Sequence, residues 1–166
     1  MKIQISILLV VFFFLPAHTQ TYKVSYLTAD EGLSRNMVNF IYKDTKGFMW
    51  FATSKGLDRY DGYDFLHYNS TQLDRYLPSD VVNCMLEDAM GNYWVGTENG
   101  LYFLSFSAGR ILSATEKLGE KDENLNGNIS FLQQDADGAI WIGHTGGLTQ
   151  LTIQHKEYQS KQVYKS

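Results

Sequence analysis

The sequence predicts an all-β protein, a partial β-propeller of about three four-stranded antiparallel blades plus an extra N-terminal strand. A repeat with the frame Asp-x-x-Gly-x-x-Trp-apolar-small-x-x-x-Gly-Leu occurs three times without insertions, beginning at Asp44, Asp88 and Asp135. Its tryptophans are 44 and 47 residues apart, and a period of about 40–50 residues built from strands is typical of propeller blades. Tight-turn signals separate short apolar runs in each copy, which favours four short strands per blade.

The composition is that of a packed globular protein, with 166 residues, 14% aromatic and only 19% charged. The net charge of −4 gives no support for nucleic-acid binding, which needs a basic patch. The single cysteine, Cys84, lies in an apolar run and is interpreted as a buried apolar residue. No Cys/His cluster has zinc spacing, so neither a metal nor a cofactor is expected.

Residues 1–19 have the pattern of an export signal. Lys2 provides a positive start, the run from Ile3 to Leu15 is apolar apart from two polar residues, and Pro16 ends it. The run is shorter than the about 20 residues that a membrane-spanning helix needs. We therefore expect the remaining chain to be periplasmic; a retained membrane anchor is the alternative.

The first strands can be placed in chain order. The extra strand is predicted at 22–28, where residues alternate and β-formers dominate. Blade 1 is predicted over 36–68, and its first strand, 36–43, is apolar on both faces, as expected for a sheet covered on both sides. Asp44 and Gly47 then form a tight turn, in which the carboxylate accepts backbone hydrogen bonds and the glycine takes a left-handed conformation.

Blades 2 and 3 repeat this order over 80–115 and 128–164. The charged segment 116–127 is predicted to be a loop between them. Propellers carry about four to eight blades, so three blades cannot close a ring. The strand at 22–28 would then belong to a closing blade, and we expect 20–166 to be the front part of a larger propeller. A partial stack completed by oligomerisation is the alternative.

These residues resemble the two-component regulator propeller repeat. The resemblance covers nearly all of 22–155: it begins with Thr-Ala-Asp-Glu-Gly-Leu-Ser at 28–34 and continues through 44–62. The second and third copies match from Asp88 and Asp135. Three copies in phase behind an export signal make the resemblance specific.

In that family the repeats build periplasmic seven-bladed propellers of hybrid two-component sensors that detect carbohydrate breakdown products. The resemblance therefore implies the N-terminal sensor part of such a system, truncated before the histidine kinase and without enzymatic activity of its own. It implies as partners an oligosaccharide ligand and the remaining blades or a second receptor subunit, with no nucleic acid. Membrane attachment would come only through missing C-terminal parts. The departures at Ala52 and His144 do not affect the fold.

Nine repeat residues are interpreted as structural. The tryptophans could stack on sugars, but their place in mid-strand favours packing between blades. The aspartates could act as acid and base, but each begins a tight turn. Separate blades would also keep them apart, whereas glycoside hydrolysis needs two carboxyls about 5–10 Å from each other. The nine residues are Asp44, Gly47, Trp50, Asp88, Gly91, Trp94, Asp135, Gly138 and Trp141.

Blade topology points to one rim as a binding surface. The loop before the first strand and the turn between the second and third strands share that rim, and the Asp-x-x-Gly turns lie on the other. Ligand-binding residues favour loops on a rigid scaffold. The candidate ligand-binding residues on the first rim are Arg35, Asn36, Lys55, Glu98, Asn99 and His144.

Two other functions remain open. The chain could be a secreted propeller enzyme acting on glycans, for which the sequence shows no convergent carboxylates or metal set. It could also be a stand-alone binding module, built by association of partial propellers.

Overall fold

A computed structural model describes residues 22, 24–105, 110–118, 123–154 and 157–165. In these ranges the architecture is nearly all-β: three four-stranded antiparallel sheets, each with its strands in sequential order, and one short α-helix. The predicted fold class is confirmed. The predicted signal peptide, 1–19, lies outside the described residues.

Each sheet is one blade of four sequential strands. Blade 1 contains β1 (Val38–Lys43), β2 (Met49–Thr53), β3 (Gly56–Tyr60) and β4 (Phe65–Tyr68). Blade 2 contains β5 (Val82–Glu87), β6 (Tyr93–Thr97), β7 (Gly100–Ser105) and β8 (Arg110–Ser113). Blade 3 contains β9 (Ile129–Gln134), β10 (Ile140–His144), β11 (Gly147–Gln154) and β12 (Glu157–Lys165).

The Asp-x-x-Gly turn joins the first and second strands of each blade. Asp44 Oδ1 accepts hydrogen bonds from the amides of Lys46 (3.0 Å) and Phe48 (2.9 Å). Gly47 has a φ of 93°, in the left-handed region that a residue without a Cβ adopts at little cost. The same conformation recurs in the other two copies, at Gly91 (76°) and Gly138 (86°).

The core lies between the blades, in two interfaces that we call seam 1 (blades 1 and 2) and seam 2 (blades 2 and 3). Trp50 of blade 1 shares the buried cluster of seam 1 with Met85 of blade 2. Trp94 of blade 2 shares the cluster of seam 2 with Leu132 of blade 3. The first strands are adjacent at these seams, since β5 contacts both β1 and β9. Each seam therefore combines the tryptophan of one blade with the first strand of the next.

The predicted loop at 116–127 is partly helical. Helix α1 (Ala114–Leu118) begins two residues before this segment and ends within it, and a 3₁₀ turn (Glu123–Asn126) follows. Ser113 Oγ accepts the Glu116 amide (3.1 Å) and Glu116 Oε2 accepts the Ser113 amide (3.3 Å). This reciprocal pair is a capping box, a helix-start signal that the charge of the segment obscured. In the described ranges no helix has both the length and the apolarity to cross a bilayer.

The predicted strand at 22–28 differs from the structure, which shows no strand over 24–28. Val24 and Tyr26 are 73% and 77% exposed. A strand needs a hydrogen-bonded neighbour, and none of the described strands pairs with this segment. Alternation and β-propensity there indicated a local preference, which does not form a strand without a partner.

Candidate functional site

The loops that precede the first strands and the turns between the second and third strands lie together on one rim. Backbone hydrogen bonds fix these loops, so the rim is a scaffolded surface on which exposed side chains are held in place. The bonds run from Gly56 N to Asp80 O (2.6 Å), from Glu98 N to Val81 O (3.1 Å) and from Thr145 N to Asn128 O (3.2 Å).

Five of the six candidate ligand residues are exposed on this rim. The Oδ1 atom of Asn36 already accepts a hydrogen bond from the Ala29 amide at 2.7 Å, so part of its hydrogen-bonding capacity is used within the protein. Arg35 and Lys55 make the blade 1 part of the rim basic, whereas Glu98 makes the blade 2 part acidic. Their ligand role stays a prediction. The five exposed residues are Arg35, Asn36, Lys55, Glu98 and Asn99.

His144 differs from the other candidates because its side chain is only 7% exposed. Its Nδ1 accepts the Gly146 amide at 3.1 Å, which leaves the proton on Nε2, 3.0 Å from Thr149 Oγ1. In blade 1 the Thr53 hydroxyl accepts the equivalent amide, that of Lys55, at 3.0 Å. The imidazole thus replaces a hydroxyl inside the hairpin, and the ligand role predicted for His144 stays a prediction.

The three repeat aspartates each bind the indole of their own blade. Oδ2 of the aspartate accepts the hydrogen bond from Nε1 of the tryptophan six residues later, so one carboxylate fixes both the turn and the ring. The constant six-residue spacing of aspartate and tryptophan was visible in the sequence, but this hydrogen bond was not predicted from it. The distances are 2.8 Å for Trp50 to Asp44, 3.0 Å for Trp94 to Asp88 and 2.7 Å for Trp141 to Asp135.

Tyrosine hydroxyls of the next blade donate hydrogen bonds to two of these carboxylates across the seams. Tyr93 Oη of blade 2 donates to Asp44 Oδ2 (3.0 Å), and Tyr158 Oη of blade 3 donates to Asp88 Oδ2 (2.5 Å). Burial, and then the neighbouring carboxylate, raises the pKa of both tyrosines, so both remain donors. Asp135 receives hydrogen bonds only from its own turn and blade among the described residues. Asp44 and Asp88 therefore each link two neighbouring blades, at seam 1 and seam 2 respectively.

A Ser, a His and an Asp meet where the N-terminal segment reaches blade 1. The carboxylate of Asp58, 0% exposed, accepts hydrogen bonds from Ser34 N (2.7 Å) and Ser34 Oγ (2.5 Å), and lies 2.7 Å from His67 Nδ1. A nucleophilic triad places the hydroxyl and the carboxylate on opposite imidazole nitrogens. Here both approach Nδ1, since Ser34 Oγ lies 3.0 Å from the same atom. The cluster anchors the segment.

No group of three or more His, Cys, Asp or Glu side chains is placed to hold a metal ion within the part of the chain that the structure describes.

The chain is similar to parts of regulatory-system proteins. A family model described as two component regulator propeller matches residues 32–55 and 76–99. An extracellular domain assigned to a hybrid two-component system of B. thetaiotaomicron is 23% identical, with a TM-score of 0.61 over 76% of this chain and 17% of that chain. A second extracellular domain from the same organism is 20% identical, with a TM-score of 0.45 over 81% of this chain and 25% of that chain. No curated protein matches the chain.

The structural neighbour and the family model support different conclusions. The first structural neighbour shows the fold, and this chain spans only 17% of its length. The family model matches the turn and tryptophan strand of blades 1 and 2, the segments on which the repeat frame was defined. The chain therefore carries two-component regulator propeller repeats, in two copies that the family model matches.

Proposed function

We propose that this chain is the N-terminal, ligand-input part of a sensor in a hybrid two-component regulatory system. On this proposal it is exported to the periplasm, responds to carbohydrate and has no enzymatic activity, while the kinase lies outside these residues. The observation that carries the proposal is the match of blades 1 and 2 to the two-component regulator propeller repeat. The fold shared with an extracellular domain of such a system supports it.

The rim is the surface on which this proposal places the ligand. Its loops are held by backbone hydrogen bonds between neighbouring segments, so side chains on them need little ordering when a ligand arrives. Arg35 and Lys55 on one side and Glu98 on the other offer charged donors and acceptors to hydroxylated sugars. Both neutral and acidic oligosaccharides therefore belong in a binding test.

Calorimetric titration of the full chain with an oligosaccharide panel tests the proposal. We expect one sugar class to bind, and Lys55→Ala or Glu98→Ala to weaken that binding about 10-fold, the effect of losing a hydrogen bond to a charged group. Met90→Ala is the control, because Met90 is 40% exposed in an Asp-x-x-Gly turn on the opposite rim. Absence of binding across the panel, or equal weakening by the control, would contradict the proposal.

The DNA sequence that follows the Ser166 codon provides an independent test. The reading frame after the Ser166 codon is expected to continue through more repeats of this frame, a membrane span and a kinase. A stop codon followed by unrelated sequence would count against the receptor role.

A further inference from the structure

The first strands of all three blades contain a β-bulge at the same place. Near the start of each first strand, one residue is extra in the pairing with the second strand. The extra residues are 44 and 47 residues apart, the spacing of the tryptophans, so they occupy one position of the repeat. A bulge re-aims the side chain of its extra residue and is common next to active sites. The three extra residues are Asn39, Asn83 and Ser130.

The three bulged residues form a continuous row across both seams, which we call the bulge row. Asn39 Nδ2 donates to Val82 O at 2.8 Å, the carbonyl of the peptide that leads into Asn83. Asn83 Nδ2 donates to Ile129 O at 2.9 Å, the carbonyl of the peptide that leads into Ser130. Each asparagine is thus attached to the backbone beside the next bulged residue. Both links join neighbouring blades that the structure describes.

The bulge row lies where the candidate rim meets the inner edge of the stack. Each bulged residue is the second residue of its strand, directly after a rim loop. Strands β1, β5 and β9 are the first of their sheets and are adjacent at the seams, so they form the inner edge. Asn39 and Ser130 are exposed and Asn83 is half-buried. The row is therefore accessible from solvent beside the rim.

The protein itself uses most of the hydrogen-bond donors of the bulge row. Asn83 Nδ2 donates a second hydrogen bond, to Asn128 Oδ1 at 2.8 Å, and the Ser130 hydroxyl donates to Gly143 O at 3.1 Å. With the two links to neighbouring blades, four of the five side-chain N–H and O–H donors are used. Among the described residues, Oδ1 of neither asparagine in the row accepts a hydrogen bond. The row therefore presents mainly acceptors.

This set of acceptors selects the chemistry of a ligand. The row contains no charged side chain, and its oxygens carry partial negative charge. Carboxylate and sulfate groups have only acceptor oxygens, so they cannot donate a hydrogen bond here, whereas a hydroxyl group can. A neutral sugar carries several hydroxyl groups on neighbouring carbons and matches a row of acceptors.

We propose that the bulge row binds the hydroxyl groups of a neutral oligosaccharide, with the two asparagine Oδ1 atoms and Ser130 Oγ as acceptors. The inference rests on the proposed sensory function and narrows its ligand class to neutral sugars. Since Nδ2 of both asparagines is already held, these side chains lose little freedom when a ligand binds. Lys55 and Glu98 lie farther from the inner edge, in the turns after the second strands, and would contact other parts of the same ligand.

Calorimetric titration of the full chain with matched neutral and acidic trisaccharides tests the inference. The probes are trisaccharides of glucose, galactose and mannose, each paired with the trisaccharide of its uronic acid in the same linkage. We expect a neutral probe to bind, and its uronic-acid counterpart to bind at least about 10-fold more weakly, because a carboxylate has no proton to donate to the row.

Two substitutions in the row locate the site. Asn39→Ala and Ser130→Ala each remove one acceptor and should raise the dissociation constant about 5-fold, the effect of losing one neutral hydrogen bond. Thr45→Ala is the matched control for Asn39→Ala. The Thr45 hydroxyl also donates across seam 1, to Glu87 at 2.7 Å, but in the turn on the opposite rim. Ser130→Ala breaks no bond across a seam, so it tests the row even if Asn39→Ala does not fold.

Four results would overturn the inference. Neutral sugar binding that both row variants leave unchanged, or that Thr45→Ala weakens equally, would reject the row and leave the sensory proposal intact. Tighter binding of a uronic-acid probe would do the same. Ca²⁺ titrated alone that binds the unaltered chain but not Asn39→Ala would assign the row to a cation. Absence of binding by every probe would reject the sensory proposal together with this inference.

Discussion

Trp50 and Trp141 occupy the same position in blades 1 and 3, but only one of them is buried. Each donates its indole N–H to the aspartate that begins its turn, at 2.8 and 2.7 Å. Trp50 is 1% exposed because blade 2 covers it, whereas Trp141, on the side of blade 3 away from blade 2, is partly exposed. A blade thus orients its own tryptophan, while the next blade supplies the burial. Stability should therefore depend on seams more than on single blades.

The largest expected difference is between Trp94→Ala and Trp141→Ala. Removing a fully buried indole leaves a cavity and should lower the free energy of unfolding by about 3–5 kcal/mol. Trp94 is 0% exposed, and for Trp141 we expect less than half that loss. Denaturant unfolding at a concentration where the chain is monomeric measures both. Equal losses would show that blade 3 buries its indole without a neighbour.

The aspartates should show a smaller contrast. Asp44→Ala removes the acceptor of the buried Trp50 indole and of the Tyr93 hydroxyl. Leaving buried donors without an acceptor should cost about 2–4 kcal/mol. Among the described residues Asp135→Ala removes no contact across a seam, so its loss of unfolding free energy should be clearly smaller. If the two variants are equally destabilised, the turn rather than the seam determines the effect.

Next in size is the hydroxyl that joins blades 2 and 3. Tyr158→Phe deletes the donor to Asp88 and the acceptor of Asn92 Nδ2, 2.8 Å away, which should cost about 1–2 kcal/mol. Tyr164→Phe on the same strand is the control, because Tyr164 is 65% exposed. Thermal unfolding should show a lower Tm for Tyr158→Phe alone; parallel shifts would argue against a seam role.

The smallest effect on stability, but a clear one on reactivity, is expected at Cys84 and the equivalent Phe131. Burial raises the pKa of Cys84 to about 12, so little thiolate forms at pH 8. The unfolded thiol has a pKa near 9.0. The stability that the folded protein has from a buried, protonated Cys84 is therefore fully present below that pH and is lost as the pH rises towards 12.

A disulfide reagent measures this contrast. In a Cys84→Ala background, Phe131→Cys should react at least about 100-fold faster than the natural Cys84, because the new thiol is exposed and ionises normally. Comparable rates would mean that seam 2 opens readily.

The fold could be predicted from the sequence because each blade repeats the same local chemistry. Asp44, Gly47 and Trp50 stand at fixed spacing, and a turn, a left-handed glycine and a mid-strand indole follow from them. The helix at Ala114–Leu118 was also encoded, by the capping box of Ser113 and Glu116. The charge of the surrounding segment concealed that signal.

The contacts between distant segments could not be predicted. Ile140 stands in blade 3 where blade 2 has Tyr93, so the hydroxyl for Asp88 comes instead from Tyr158, 70 residues along the chain. No local pattern identifies such a substitute. The burial of His144 was likewise hidden, because imidazole and threonine hydroxyl can perform the same turn function. The rim candidates were predicted from blade topology alone, and five of the six are exposed there.

The origin of each seam hydroxyl has a consequence for how such arrays evolve. In seam 1 the donor to Asp44 is Tyr93, the residue before the tryptophan of blade 2. In seam 2 the donor to Asp88 is Tyr158, on the outermost strand of blade 3. The modules are therefore not interchangeable, since each has been fitted to its predecessor. Duplication or transposition of one module by recombination would join a donor to an unmatched neighbour. Crossovers that keep each carboxylate with its own donor should survive selection more often than crossovers at the short linkers.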